Sequence, residues 1–127
     1  MQQLFLLFCL FVVGKSYAQE TGSITGRWLK TPKEDLIIEV YKSEDDYKGK
    51  IIWIKDTAAN KQVGFQILEG LQFNRDKKIW ANGRIRNPLS GSTYKATAKI
   101  RADGTLELLA YKGMKFIGKK KYFKRVK

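Results

Sequence analysis

Few residues in this chain can do chemistry. It contains no histidine, which excludes Ser-His-Asp hydrolysis, imidazole general-base catalysis and any histidine metal centre. Its single cysteine, Cys9, lies in an apolar stretch near the amino terminus. Carboxylates remain, and the one cluster, Glu44-Asp45-Asp46, falls between two strand-like runs, where acids usually serve as solvated turn formers. Glu69 and Glu107 are isolated among apolar neighbours and read as the wet face of strands. The segment Asn82-Gly83-Arg84 to Gly91-Ser92-Thr93 matches neither the phosphate loop nor the dinucleotide fingerprint, and reads as two turns that could set Arg84, Arg86, Asn87 and Tyr94 on a binding rim. No catalytic residue, metal ligand or cofactor is expected.

Aromatic side chains are the other resource. They recur along most of the chain, and in a small barrel they either fill the interior or line a cavity. If they line a cavity, the expected ligand contacts are Tyr47, Trp53, Trp80, Arg84, Arg86, Asn87, Tyr94 and Tyr111. An acyl chain suits such a cavity, because each buried methylene contributes about 0.8 kcal/mol.

The elements that must position these residues are strands. Period-two alternation recurs, most clearly from Ser92 to Arg101, where Tyr94, Ala96, Ala98 and Ile100 face one way and Thr93, Lys95, Thr97 and Lys99 the other. Leu36, Ile38 and Val40 alternate with Ile37, Glu39 and Tyr41, and Tyr47, Gly49, Ile51 and Trp53 with Lys48, Lys50, Ile52 and Ile54. Turn chemistry separates the runs at residues 43–46, at residues 87–91 and at Ala102-Asp103-Gly104, and Asn82-Gly83 offers the φ > 0 residues that a tight turn or bulge requires. Strand-like runs fall near 24–30, 36–43, 47–55, 64–69, 71–81, 83–87, 92–101, 105–112 and 115–126, with one or two of the middle ones short or merged, and Thr57 to Gln62 is the place for a longer loop or short helix. The fold class is all-β: a single antiparallel meander, closed or nearly closed into a barrel of roughly eight strands, which also removes sticky sheet edges.

The amino terminus has a different purpose. Residues 1–18 read as a signal peptide, with an apolar run from Leu4 to Val13, half of the roughly 20 residues a spanning helix needs, followed by small residues at Ser16 and Ala18. Cleavage after Ala18 leaves a single domain, residues 19–127, without cysteine and outside the cytoplasm, periplasmic or secreted. Thiol catalysis and cysteine zinc sites leave with Cys9. Lys15 is the one basic residue in the leader, so 24 of the 25 Lys and Arg remain against 12 acids, a net charge of +12. The excess is lopsided: Lys112 to Lys127 holds seven Lys and one Arg with no acid. Such a field favours anionic partners such as lipid headgroups or acidic polysaccharide, and it also arises simply as a solvated face that keeps a protein soluble. Interleaved Lys and aromatics at Lys115-Phe116 and Lys119 to Phe123 could also stack on single-stranded nucleic acid, a partner that export makes unlikely.

Two patterns carry a resemblance. Gly26-Arg27-Trp28 in the first strand is similar to the G-x-W of lipocalins and other calycin barrels, in which the Trp closes one end and a basic residue of the last strand packs across its ring; Arg125 is the matching residue here. More specifically, the succession of Gly26-Arg27-Trp28, Tyr47-Lys48-Gly49-Lys50-Ile51, Ile67-Leu68-Glu69-Gly70-Leu71, Trp80-Ala81-Asn82-Gly83-Arg84-Ile85 with Asn87-Pro88, Asp103-Gly104-Thr105-Leu106-Glu107-Leu108 and Arg125-Val126 resembles the family catalogued as domain of unknown function 2147. That resemblance implies an exported bacterial protein with a calycin-like barrel. The chain departs from it where the family has Tyr-Asp-Pro and this sequence has Arg86-Asn87-Pro88, and in having no cysteine between Lys55 and Val63. Both losses weaken any inherited catalytic or redox site.

The expectation is therefore a non-enzymatic exported barrel that binds a small apolar or amphiphilic, fatty-acid-like ligand and has a basic outer face. The competing reading is a filled barrel that docks on anionic lipid or polymer of the cell envelope, and a carboxylate-dependent enzyme is third.

Overall fold

The computed structural model describes residues 23–114 and 118–126; the expected signal peptide, Cys9, and Lys115-Phe116 lie outside the described residues. Eight strands follow the chain as β1 (Gly26–Thr31), β2 (Leu36–Lys42), β3 (Tyr47–Ile54), β4 (Gln66–Asn74), β5 (Ile79–Arg86), β6 (Thr93–Ile100), β7 (Leu106–Tyr111) and β8 (Lys119–Val126), with a 3₁₀ helix at Thr57–Gln62. Each strand pairs antiparallel with its neighbour in sequence, and β8 returns to β1, closing the barrel.

Period-two patterning produces this because one face of every strand must leave water while the other stays wet. In β6, Ala96 and Ala98 are buried whereas Thr93, Lys95 and Lys99 are exposed. Trp28, Ile38, Val40, Ile51, Leu68, Leu71, Trp80, Leu106, Leu108 and Phe123 fill the interior with them. The fill is tight: a Cβ on Gly83 would stand 2.5 Å from Leu71 Cδ2. Leu71 thus occupies the space that a side chain at position 83 would need.

The middle of the chain departs from the expected strand breaks. The runs near 64–69 and 71 onward form one strand, β4, which passes Gly70 without ending, and the chain turns instead at residues 75–78, where Lys78 has φ 56° and donates its N–H to Asn74 O at 2.7 Å. Asn82 adopts φ 66° inside β5, where the register against β6 shifts between Trp80 and Gly83. Of the two roles open to Asn82-Gly83, the structure takes the bulge, and the positive φ serves to bend a continuous strand.

A bulge in β3 reverses one side chain outright. Ile38 pairs with Ile51 but Ile37 pairs with Trp53, so Ile52 is the extra residue. Ile37 lies on the outer face, and Trp53 with it, whereas strict alternation puts Trp53 on the inner face with Gly49 and Ile51.

Asp46 ties two of the hairpins together. Its carboxylate accepts from Lys48 Nζ at 2.9 and 3.0 Å and from the Gly70 backbone N–H at 2.7 Å, so the β2–β3 turn is fastened to β4. The Lys48 ammonium, joined by the Gly70 N–H, holds the Asp46 carboxyl below its ordinary value, against the opposing effect of partial burial. A carboxyl with a depressed folded pKa contributes stability above the unfolded value of about 3.9 and loses it as the pH falls below that through the folded value. Asp46→Ala is expected to destabilise by about 1.5–3 kcal/mol at neutral pH in urea unfolding, with a deficit against the parent that shrinks as the pH falls below the unfolded value of about 3.9 and through the lower folded one.

Candidate functional site

An up-and-down barrel has two ends, and the sequence treats them differently. At the first, Trp28 is 0% exposed and its indole N–H donates to Ile24 O at 3.0 Å. The Arg125 guanidinium lies 4.3 Å from the Trp28 ring centre. Its Nη1 and Nη2 donate to Thr25 O and Ser23 O at 2.9 and 3.0 Å, so the chain entering β1 is folded across this end. Gly26 makes room for that contact, since a Cβ there would meet Arg125 Nη1 at 2.7 Å. Behind this plug, Trp80 packs edge-on to Tyr47 at 6.3 Å and against Phe73 at 4.8 Å. Filling this end leaves the Trp80 indole N–H without an acceptor among the described residues, at a cost of about 1–3 kcal/mol.

The opposite end has another lining. Phe123, buried in the interior, pairs with Lys30 of β1 and Leu106 of β7. Steps of two back along β8 place Lys121 opposite Leu108 and Lys119 opposite Ala110, all on the inner face. Lys30, Lys119 and Lys121 therefore hold inner-face positions on the side of the barrel away from the Trp28 plug. Lys30 is half-buried and the other two are exposed. Around them Leu36, Ile85, Tyr94 and Ala110 are half-buried, above a floor that includes the buried Ile38, Ile51, Leu68, Ala96 and Leu108. Lys112 Nζ sits 4.8 Å from the Tyr94 ring centre, adding a fourth cation. Apolar floor and ammonium lining together suit an anionic head with a short apolar tail.

The eight residues expected to contact a ligand do not converge. Tyr94 belongs to this mouth, whereas Tyr47 and Trp80 belong to the packed, plugged end. Arg84 and Arg86 are exposed on the outer face of β5, where Arg84 pairs with Glu69, Nη2 to Oε2 at 2.9 Å. Tyr111 lies opposite the outer-face Lys95. Asn87 spends its side chain on its own turn, accepting from Leu89 N and Ser90 N at 2.8 and 3.2 Å. Trp53 borders an external groove of about 500 Å³ with Arg27, Leu29, Glu34, Ile37, Ile52 and Val126. Lys30, Lys119 and Lys121 escaped the sequence reading. Lys121 and Lys119 stand two and four residues before Phe123, hidden within a continuous basic run, and Lys30 stands two residues after Trp28.

The carboxylates are largely occupied. Glu69 holds Arg84, Glu107 approaches Lys99 at 4.0 Å, Glu34 pairs with Lys124 at 2.7 Å and Asp46 fastens β4. Among the described residues no three His, Cys, Asp or Glu side chains come together as a metal site.

A closed eight-stranded antiparallel barrel with an indole-guanidinium plug is a lipocalin-like architecture. A solved structure described as "Protein HP1028 from the human pathogen Helicobacter pylori belongs to the lipocalin family" superposes with a TM-score of 0.65 at 17% identity, over 83% of this chain and 84% of that one. The chain belongs to the family described as "Uncharacterized protein conserved in bacteria (DUF2147)", whose profile matches residues 26–125. No curated protein matches it.

Two outcomes check this geometry. Trp28→Ala should cost about 3–5 kcal/mol in denaturant unfolding, as expected for a fully buried large aromatic. Trp28 and Trp80 are 0% and 4% exposed but Trp53 is 41% exposed, so acrylamide should quench the Trp53 emission and Trp53→Phe should remove the quenchable fraction.

Proposed function

We propose that this chain is an exported, non-enzymatic barrel that binds a small amphiphile of the fatty-acid kind at the mouth away from Trp28, its anionic head among Lys30, Lys119 and Lys121. The observation that carries the reading is the placement of three lysines on the inner face of β1 and β8, over an apolar floor. Lysines gain nothing from the inner face of a barrel unless water or an anion meets them there. The packed interior near Trp80 limits how far a tail enters, so the bound chain lies in the upper layer, against Leu36, Ile85 and Tyr94. Each methylene covered there adds up to about 0.8 kcal/mol.

The signal-like residues 1–18 support delivery to the periplasm or the exterior, and the basic outer face suits an anionic envelope. The absence of histidine, together with carboxylates tied into ion pairs, supports binding rather than turnover.

Native mass spectrometry of protein purified from its own source, with organic extraction, is expected to reveal a bound acidic amphiphile. Lys30→Glu with Lys121→Glu should weaken uptake of a fluorescent fatty acid about tenfold or more, with the parent affinity falling as salt is raised. No extracted ligand and no uptake by the parent would overturn the reading.

A further inference from the structure

In an up-and-down meander the connections alternate between the two rims. Those after β1, β3, β5 and β7 share the rim around the lysine mouth, and those after β2, β4 and β6 share the plugged rim. The large apolar side chains exposed among the described residues are Trp53 (41%), Val63 (45%), Leu89 (82%) and Met114 (59%). All four belong to the mouth rim: Trp53 at the end of β3, Val63 just after the 3₁₀ helix, Leu89 between β5 and β6, and Met114 after β7. The plugged rim carries none of these exposed apolar residues; its three connections mix the acids Glu44, Asp45, Asp46, Asp76 and Asp103 with the exposed bases Arg75, Lys77, Lys78 and Arg101.

From this polarity we infer that the mouth rim docks on the surface of an anionic phospholipid bilayer. Lys33, Lys55, Lys61 and Lys112 are exposed on the same connections, interleaved with the apolar tips. Two of the acids on this rim are engaged within the protein: Glu34 pairs with Lys124, and Asp56 accepts from the Ala58 N–H at the start of the 3₁₀ helix. The third, Asp35, is half-buried. Spread over three connections, with Trp53 and Val63 at the two ends of one of them, the exposed apolar residues are scattered tips rather than the continuous apolar patch that a protein partner covers. They suit the headgroup layer, into which isolated side chains dip while lysines reach phosphates, with Trp53 at the interfacial level that indoles favour. The inference holds whether or not the barrel carries a ligand, and it sets the mouth against the membrane.

The test uses the protein in the form its own cell produces, with Trp53 as the exposed reporter. Vesicles of phosphatidylcholine and phosphatidylglycerol with brominated chains should quench Trp53 emission and shield it from aqueous acrylamide, whereas pure phosphatidylcholine vesicles should do so weakly. Leu89→Ser with Met114→Ser, and separately Lys33→Glu with Lys55→Glu, should each weaken vesicle binding about tenfold or more. The control Asp45→Ser on the plugged rim should leave it unchanged. Equal binding by parent and both double variants, or vesicle binding without quenching of Trp53, would overturn the inference. So would association with a soluble acidic polysaccharide that the Leu89 and Met114 substitutions leave intact while vesicles are ignored, which would identify the rim as a polymer site.

Discussion

Arg125 joins parts of the barrel that lie at opposite ends of the chain. Its planar cation covers the face of Trp28 while its two terminal nitrogens hold the carbonyls of Ser23 and Thr25, about a hundred residues away in sequence. A lysine could offer the charge but not the flat surface with two donors in a fixed fork. The contact fixes where β8 meets β1, which sets the register in which the sheet closes. That register gives Phe123 to the interior and, two and four residues earlier, turns Lys121 and Lys119 inward. The plug at one end and the cationic lining at the other are consequences of the same alignment.

Between them the interior is solid rather than hollow through its lower part. Leu71 fills the space left by Gly83, Leu68 lies close over Gly49, and Trp80, Phe73 and Tyr47 form an aromatic layer. A lipocalin-like outline therefore does not bring a deep cavity with it. What distinguishes the rim away from Trp28 is its composition: inward lysines, exposed apolar tips and a half-buried layer above the core. Along the barrel axis the contrast lies in these inward lysines and apolar tips, since the turns of the plugged rim mix acids with Arg75, Lys77, Lys78 and Arg101.

Much of the fold was legible because burial imposes a two-residue period that survives in the sequence. β6 reads directly from Tyr94 to Ile100, and the 3₁₀ helix falls on the Thr57 to Gln62 segment that had no strand pattern. Strand ends were less legible, because Gly70 and Asn82 have the chemistry of turns but act as irregularities inside continuous strands. Trp53 shows the sharper limit. One extra residue in β3 inverts the phase, and nothing in Ile51-Ile52-Trp53-Ile54 marks where it enters, since every one of these side chains suits either face. The ligand contacts were chosen by residue type, and the register scatters them among the plugged interior, the outer face, a turn and the mouth. The inward lysines were obscured for the opposite reason: in Lys119-Lys120-Lys121 adjacent residues share one identity, so alternation leaves no trace.

Closure between the first and last strands also shapes how the molecule must be made. The hairpins from β2 to β7 can form from neighbouring residues, but the pairing of Trp28 with Arg125 requires nearly the whole domain to be present before it can occur. Topologies dominated by such distant pairing fold slowly, on the order of milliseconds to seconds, against microseconds for locally connected helical proteins. A chain whose final seam awaits its last residues stays open while it is being synthesised.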